Sequence, residues 1–475
     1  MKLDERSEVV NKVNFWEAYN NISLKNKRLI LIACIILLLI YAIFGVQTLL
    51  ILLIIIIGFQ PFTYMLFSRN SNAFHPSYII PFTYSFYALG PMFNVDKFSQ
   101  GVISSYLFIQ LIGLIGLRVG LKQQTKYRSQ DFHLPRNSDV ENNILYAGIC
   151  MVLISIPSII LEINAFGGVE EFFNVGYGTE RYLIMQNSTT FGASFQWLIL
   201  SGVIIGFYGM KTRSLIYSFI GASIFSATTY YFFMIGGRST LIYIIIYCAI
   251  LLFYSIKKNM SRFIGSFVII GMIFAQAISY ARFYLSQGFI GAMHQTWLLF
   301  LKKPLIFLPI YSNEFRMPSR SLMEVLQFGG PGLQFGRTYL SSITAIVPFL
   351  TRLIPDVGFD PVKWYLTEYH NDLLLAGGGL GFSPVTEGYI NFGIVGVFFH
   401  MFIYGYIIVS LYNYYHKTKN VASLILYAGA FPMFMLEGLR IHSTSFLYKL
   451  FRIYLVPFIV VTIIRFVQSK MKVRE

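Results

Sequence analysis

"RLILIACIILLLIYAIFGVQTLLILLIIIIGF", residues 28–59, opens on one arginine and then carries no charge at all. A run of roughly 18 apolar residues already marks a membrane-spanning helix, and this one is long enough for two in succession. Similar runs recur to the end of the chain. Over its 475 residues the sequence is 56% hydrophobic, 17% aromatic and 12% charged, with a mean hydropathy of +0.61. Soluble domains carry about 25% charged residues. The composition therefore specifies an all-α polytopic membrane protein. The first 28 residues are polar and lack an apolar core, so no cleavable signal peptide is expected and the first span serves as the insertion signal. Cys34, Cys150 and Cys248 all fall in apolar segments and read as small core residues rather than a disulfide framework or a thiolate metal site.

Working outward from that stretch, about twelve transmembrane helices are expected: 28–45, 46–67, 75–93, 101–121, 143–163, 191–210, 214–235, 239–256, 262–284, 388–413, 421–440 and 444–466. With both termini cytoplasmic, every basic short connection falls on the cytoplasmic side, and these segments hold 23 of the 37 Lys and Arg residues. This is the bias that orients membrane proteins. It also accounts for the net charge of +16 without nucleic acid, because no solvated basic domain is present. A single integral membrane domain (1–475) is expected, with two long outer segments. One is 164–190. The other, 285–387, is a large outer loop between spans nine and ten, and its aromatic and apolar content argues for a folded cap rather than disorder.

The cap ends in "GGLGFSPVTEGYINFG" (378–393), which places Glu387 at the mouth of the tenth span. An ionisable residue at membrane depth is a candidate for function. The plainer reading is a helix-start carboxylate favoured by the helix dipole, behind Pro384. Upstream, "EYHNDLL" (368–374) carries His370, the residue type most easily used as a base near neutral pH, although a loop histidine is more often structural. Arginines at the outer ends also need a reason, because orientation disfavours them there. Arg181, Arg238, Arg282 and Arg337 are the set, while Arg440 has an acid, Glu437, three residues before it. Several guanidinium groups converging on one side point to a polyanionic ligand, since their forks bind phosphate oxygens in pairs. Helical spacing puts Asn391 on the face of Glu387 and Tyr389 off it.

"GGRSTLIY" (236–243), the long outer segment with "YHNDLL" (369–374), and "GGLGFSPVTEGYINFGIVGVFF" (378–399) together resemble the Wzy-type oligosaccharide repeat-unit polymerases of bacteria, which build O-antigen or capsular polysaccharide. The resemblance covers most of the chain. It implies a GT-C-like fold in the bacterial inner membrane, with the active site facing outward. It also implies metal-independent, cofactor-free inverting glycosyl transfer between undecaprenyl-pyrophosphate-linked oligosaccharides, and a chain-length regulator protein as partner. Carried over, Arg238 and Arg337 clamp the pyrophosphate, with Arg282, Arg181 and Asn391 in support, and His370 or Glu387 takes the acceptor proton. Two rivals share the sequence features in part. A flippase for the same lipid-linked units has a similar span count, and an O-antigen ligase shares the donor, the arginines and a His-Asn pair like His370-Asn371.

Overall fold

A computed structural model describes residues 50–59, 74–122, 138–174, 194–234, 238–255, 288–307, 313–346, 358–375 and 379–472, with positions 184, 277, 280, 281 and 284 standing alone. Every regular element among the described residues is a helix. The chain forms two compact units, Met1–Ile55 and Ile56–Glu475. The described part of the first is the start of the apolar helix α1 (Leu50–Phe59). The second opens with α2 (Pro76–Leu89), α3 (Gln100–Lys122), α4 (Ser138–Ala165), α5 (Val169–Asn174), α6 (Ser194–Thr212), α7 (Leu215–Met234) and α8 (Arg238–Ser255). Five helices follow within 285–387: α9 (Gly288–Lys302), α10 (Asn313–Phe328), α11 (Arg337–Ile346), α12 (Pro361–Tyr369) and α13 (Asn371–Leu375). The chain closes with α14 (Pro384–Thr418), α15 (Val421–Met435), α16 (Ser443–Lys449) and α17 (Val456–Lys472).

Among the described residues, four helices are long and apolar enough to cross a membrane: α3, Asn142–Ala165 of α4, α14 and Val421–Leu439. The bent pair Ser443–Tyr454 and Val456–Met471 makes a fifth if it is one span. These coincide with the spans expected at 101–121, 143–163, 388–413, 421–440 and 444–466. The apolar helices α6, α7 and α8 fall on three more. At the segment expected to span 75–93, α2 has only 14 residues, about 21 Å of helix, and passes into the 3₁₀ turn Gly90–Asn94. The expected span 28–45 lies outside the described residues, as do the ends of 46–67 and most of 262–284.

Small residues set the close packing of α3 on α14. Glycines 113, 116 and 120 face α14, and a Cβ added to Gly405 would sit 2.5 Å from the Leu117 carbonyl, so the two backbones touch. Between apolar helices, such close approach supplies the dispersion contact that drives association. Helix α15 is buried over almost its whole length and packs against α8, α14 and α17. Where it ends, the buried carboxylate of Glu437 accepts from Tyr243 of α8 and Lys449 of α16. The expected Arg440 pairing is present, with Nε 3.6 Å from Glu437.

The helix expected over 388–413 begins four residues earlier and is broken. Ser383 caps it by accepting from the Thr386 N–H, and Pro384 occupies the first turn, where no N–H is needed. The break falls at Phe392 (φ −140°, ψ 24°) and Gly393 (φ 61°, ψ −148°). The two halves fold onto each other so tightly that a Cβ on Gly388 would lie 2.9 Å from the Gly396 carbonyl. An apolar pattern reports helix content but not a single break, so the sequence reads this region as one straight span. Gly393 occupies a backbone region open to glycine alone, while space for a methyl group exists, with no atom within 4 Å. Gly393→Ala is therefore expected to destabilise through the backbone by about 1–3 kcal/mol, read as a lower unfolding midpoint in detergent. An unchanged midpoint would mean that the break does not need glycine.

Candidate functional site

The break creates the first part of the site. Breaking a helix frees backbone carbonyls, and buried carbonyls need donors. Here the glycine-rich connection before α11 supplies them: Gln334 N–H donates to the Ile390 carbonyl (2.9 Å) and Phe335 N–H to that of Asn391 (3.2 Å). Asn391, fully buried, completes the seam. Its Oδ1 accepts from the Gly336 N–H (2.9 Å), and its Nδ2 donates to Thr338 Oγ1 and the Glu387 carbonyl, both at 2.8 Å. Asn391 thus meets the backbone of Glu387, one turn earlier on its face, and not its carboxylate. The same seam fixes the start of α11 and so places Arg337, whose side chain is exposed.

Glu387 lies in the first turn of α14 and is fully buried. Its Oε2 accepts from the Ser443 N–H (2.7 Å) and its Oε1 from the Ser443 hydroxyl (2.5 Å). The carboxylate therefore joins the beginning of α14 to the beginning of α16. Charge-assisted bonds of this kind are the stronger class. Around it, Tyr339 of α11 pairs with His400 Nδ1 at 2.9 Å, and Ser342 meets Ser443 Oγ at 2.8 Å. Burial, reinforced by Glu387, pushes the Tyr339 phenol above its ordinary range, so it stays protonated.

A second polar cluster forms between α10 and the α12–α13 junction. Glu324 is buried and accepts from Arg320 Nε (2.9 Å), from Tyr365 Oη, and from His370 Nε2 (3.0 Å). The His370 ring is about a quarter exposed, with its side chain at 26%, and its Nδ1 has no hydrogen-bond partner among the described residues. Burial first, and Glu324 second, raise the Tyr365 phenol above its ordinary range. The phenol is thus a donor, as is the guanidinium, and the carboxylate completes its set with Nε2–H. Hydroxyls tie α10 to the start of α14: Ser321 of α10 bonds Thr386 (2.8 Å), which bonds Ser383 (2.8 Å). Tyr365, Val325, Phe382 and Ile390 form the apolar core between them.

An apolar groove of about 890 Å³ begins at Tyr339, His400 and Ser443 and follows α14 as far as Leu411, with Leu426 and Leu455 on its far walls. From His400 to Leu411 the helix rises about 16 Å. The groove thus joins a polar end beside Glu387 to a long hydrocarbon-like channel.

Of the residues singled out in the sequence, Glu387, Asn391 and the backbone of Arg337 come together at one seam. His370 belongs to the adjoining cluster. Arg238 is the first residue of α8, while its side chain, together with Arg181 and Arg282, lies outside the described residues. The sequence reading missed Glu324, Arg320, Tyr365, Tyr339, His400 and Ser443. Only the first two leave a trace in the sequence, as an acid and a base four residues apart on a helix. Such a pair ordinarily reads as a solvated face.

No curated protein matches the chain, and no solved structure matches it either. The family model described as O-antigen polysaccharide polymerase Wzy matches residues 14–474, nearly the whole length, and the chain belongs to that family.

Proposed function

We propose that the chain polymerises undecaprenyl-pyrophosphate-linked oligosaccharide units at the outer leaflet of the bacterial inner membrane by metal-independent inverting glycosyl transfer. The observation that carries this reading is the groove: the first few isoprene units of a polyisoprenoid fit its apolar length, and a pyrophosphate attached to that lipid then lies at the end marked by Tyr339 and Ser443, beside the start of α11. Arg337 and Arg238 neutralise the charge that grows on the pyrophosphate as it leaves, the electrostatic term that usually dominates such steps. Arg282, Arg181 and Asn391 support the clamp, Asn391 by holding the turn that places Arg337. A base removes the acceptor proton as the new bond forms at the anomeric carbon. His370 suits that task better than Glu387, because both oxygens of Glu387 are occupied by Ser443 while His370 keeps an open Nδ1. The product stays lipid-linked and serves as donor again, which distinguishes the reaction from transfer to a final acceptor or from flipping.

The test uses purified protein in detergent with EDTA and lipid-linked units extracted from the source bacterium lacking this chain. A ladder of longer lipid-linked glycans is expected, and Arg337→Ala is expected to weaken it by about 100-fold, as loss of one charge-stabilising donor does elsewhere. A full-strength ladder from Arg337→Ala would remove that residue from the clamp. A ladder lost in EDTA and restored by a divalent cation would overturn the metal-free mechanism.

A further inference from the structure

Glu324 has no part in the clamp, yet it is a buried acid with three donors, and few charged side chains are buried among the described residues. Structural stability is a weak reason to keep such a group, since desolvating a carboxylate costs as much as its partners return. Its geometry supplies another reason. A carboxylate on one ring nitrogen of a histidine fixes the tautomer and ring orientation and balances the charge that the ring gains on accepting a proton.

The geometry points to Glu324 as the positioning residue for His370 in glycosyl transfer; the inference rests on the polymerase reading above. Glu324 Oε2 holds Nε2–H at 3.0 Å, which leaves the lone pair of Nδ1 free. The proton of the acceptor hydroxyl moves to that lone pair as the hydroxyl oxygen bonds to the anomeric carbon. The bond from that carbon to the pyrophosphate oxygen breaks, and its electron pair leaves with the pyrophosphate. The imidazolium that results lies against the Glu324 carboxylate and returns its proton to water. Two further contacts serve this arrangement. Tyr365 donates to the same carboxylate oxygen, and Arg320, which also stacks over Phe98 with its guanidinium carbon 5.8 Å from the ring centre, holds the other through Nε (2.9 Å). The carboxylate is pinned on both oxygens, so it cannot turn away from His370. The ring is held in turn by its own backbone, whose N–H donates to the Leu366 carbonyl at 2.9 Å where α12 ends.

The experiment measures initial rates of the first coupling in the ladder assay for wild type, Glu324→Gln, Glu324→Asp, Tyr365→Phe, His370→Ala and the Glu324→Gln/His370→Ala double variant. Glutamine keeps the size of the side chain, but its amide can donate to Nε2 and so select the wrong tautomer. Glu324→Gln is expected to lower kcat about 100-fold or more with KM changed less than about threefold. Glu324→Asp, which keeps the charge, is expected to recover at least about a tenth of the lost rate. Tyr365→Phe removes one donor to Glu324 and a 3.3 Å contact to His370 Nε2 but keeps the carboxylate on the ring, so a loss smaller than that of Glu324→Gln, about tenfold or less, is expected. In the His370→Ala background, Glu324→Gln is expected to cost nothing further, because a residue acting only through His370 has nothing left to act on. Four results overturn the inference alone, each in a wild type that builds the ladder: Glu324→Gln within threefold of wild type, an equal loss in Tyr365→Phe, Glu324→Asp no better than Glu324→Gln, or a full additive loss in the double variant. A wild type that builds no ladder from its own lipid-linked units overturns the polymerase reading and the inference with it.

Discussion

His370→Ala is expected to abolish chain growth, lowering the rate of coupling by about 10³-fold while leaving the protein folded. General-base catalysis contributes about 10²–10⁴-fold, and the His370 ring is held by Glu324 through Nε2 while its Nδ1 has no hydrogen-bond partner among the described residues. The structural cost is small by comparison. The ring is partly exposed, and Glu324 keeps Arg320 and Tyr365 when the imidazole is removed, so no buried charge is stranded. The loss therefore belongs in kcat, with the unfolding midpoint close to that of wild type and donor binding retained. A His370→Ala protein that builds the ladder at a tenth of the wild-type rate or better would exclude the ring as the base.

Glu387→Ala is expected to fail in the opposite way. Removing that carboxylate leaves the Ser443 N–H without its partner and the Ser443 hydroxyl with Ser342 alone, between the starts of α14 and α16. Two charge-assisted bonds at about 1.5–3 kcal/mol each, partly recovered by relaxation, give an expected destabilisation of about 3 kcal/mol. The measurement is thermal unfolding in detergent: the midpoint falls, and activity falls because the groove mouth loses its shape. Ser443→Ala removes the hydroxyl's bonds to Glu387 and Ser342 but leaves the backbone donor in place, so a smaller drop, about 1.5 kcal/mol, is expected from it. The two substitutions act on one contact and are not additive. An inactive Glu387→Ala protein with an unchanged midpoint would instead return Glu387 to the chemistry.

These two residues also mark what the sequence could and could not convey. A carboxylate entering an apolar helix behind Ser383 and Pro384 is legible as a helix start, because capping and dipole preferences act within one turn. Its partner Ser443 lies 56 residues away, and no local pattern announces it. The helical, membrane-embedded class was legible because it depends on composition and run length. The break at Phe392–Gly393 was not, because one glycine in a glycine-rich helix carries no signal of its own φ. His370 was legible as a titratable residue near the end of the cap. Its pairing with Glu324 depends on α10 and α12 lying side by side, a tertiary fact. The arginine set was singled out for a different reason, that arginines at outer ends would run against the orientation rule; of that set only the Arg337 side chain lies within the described residues.

The most direct test of the account counts lipid released per bond formed. Purified protein is given undecaprenyl-pyrophosphate-linked units in detergent with EDTA, and free undecaprenyl pyrophosphate is quantified against the glycosidic bonds in the ladder. The account predicts one lipid pyrophosphate freed for each new linkage, with every product chain still carrying one lipid. Lipid release without longer lipid-linked glycans, or no release at all from an active preparation, would contradict it and point to ligation or transport respectively.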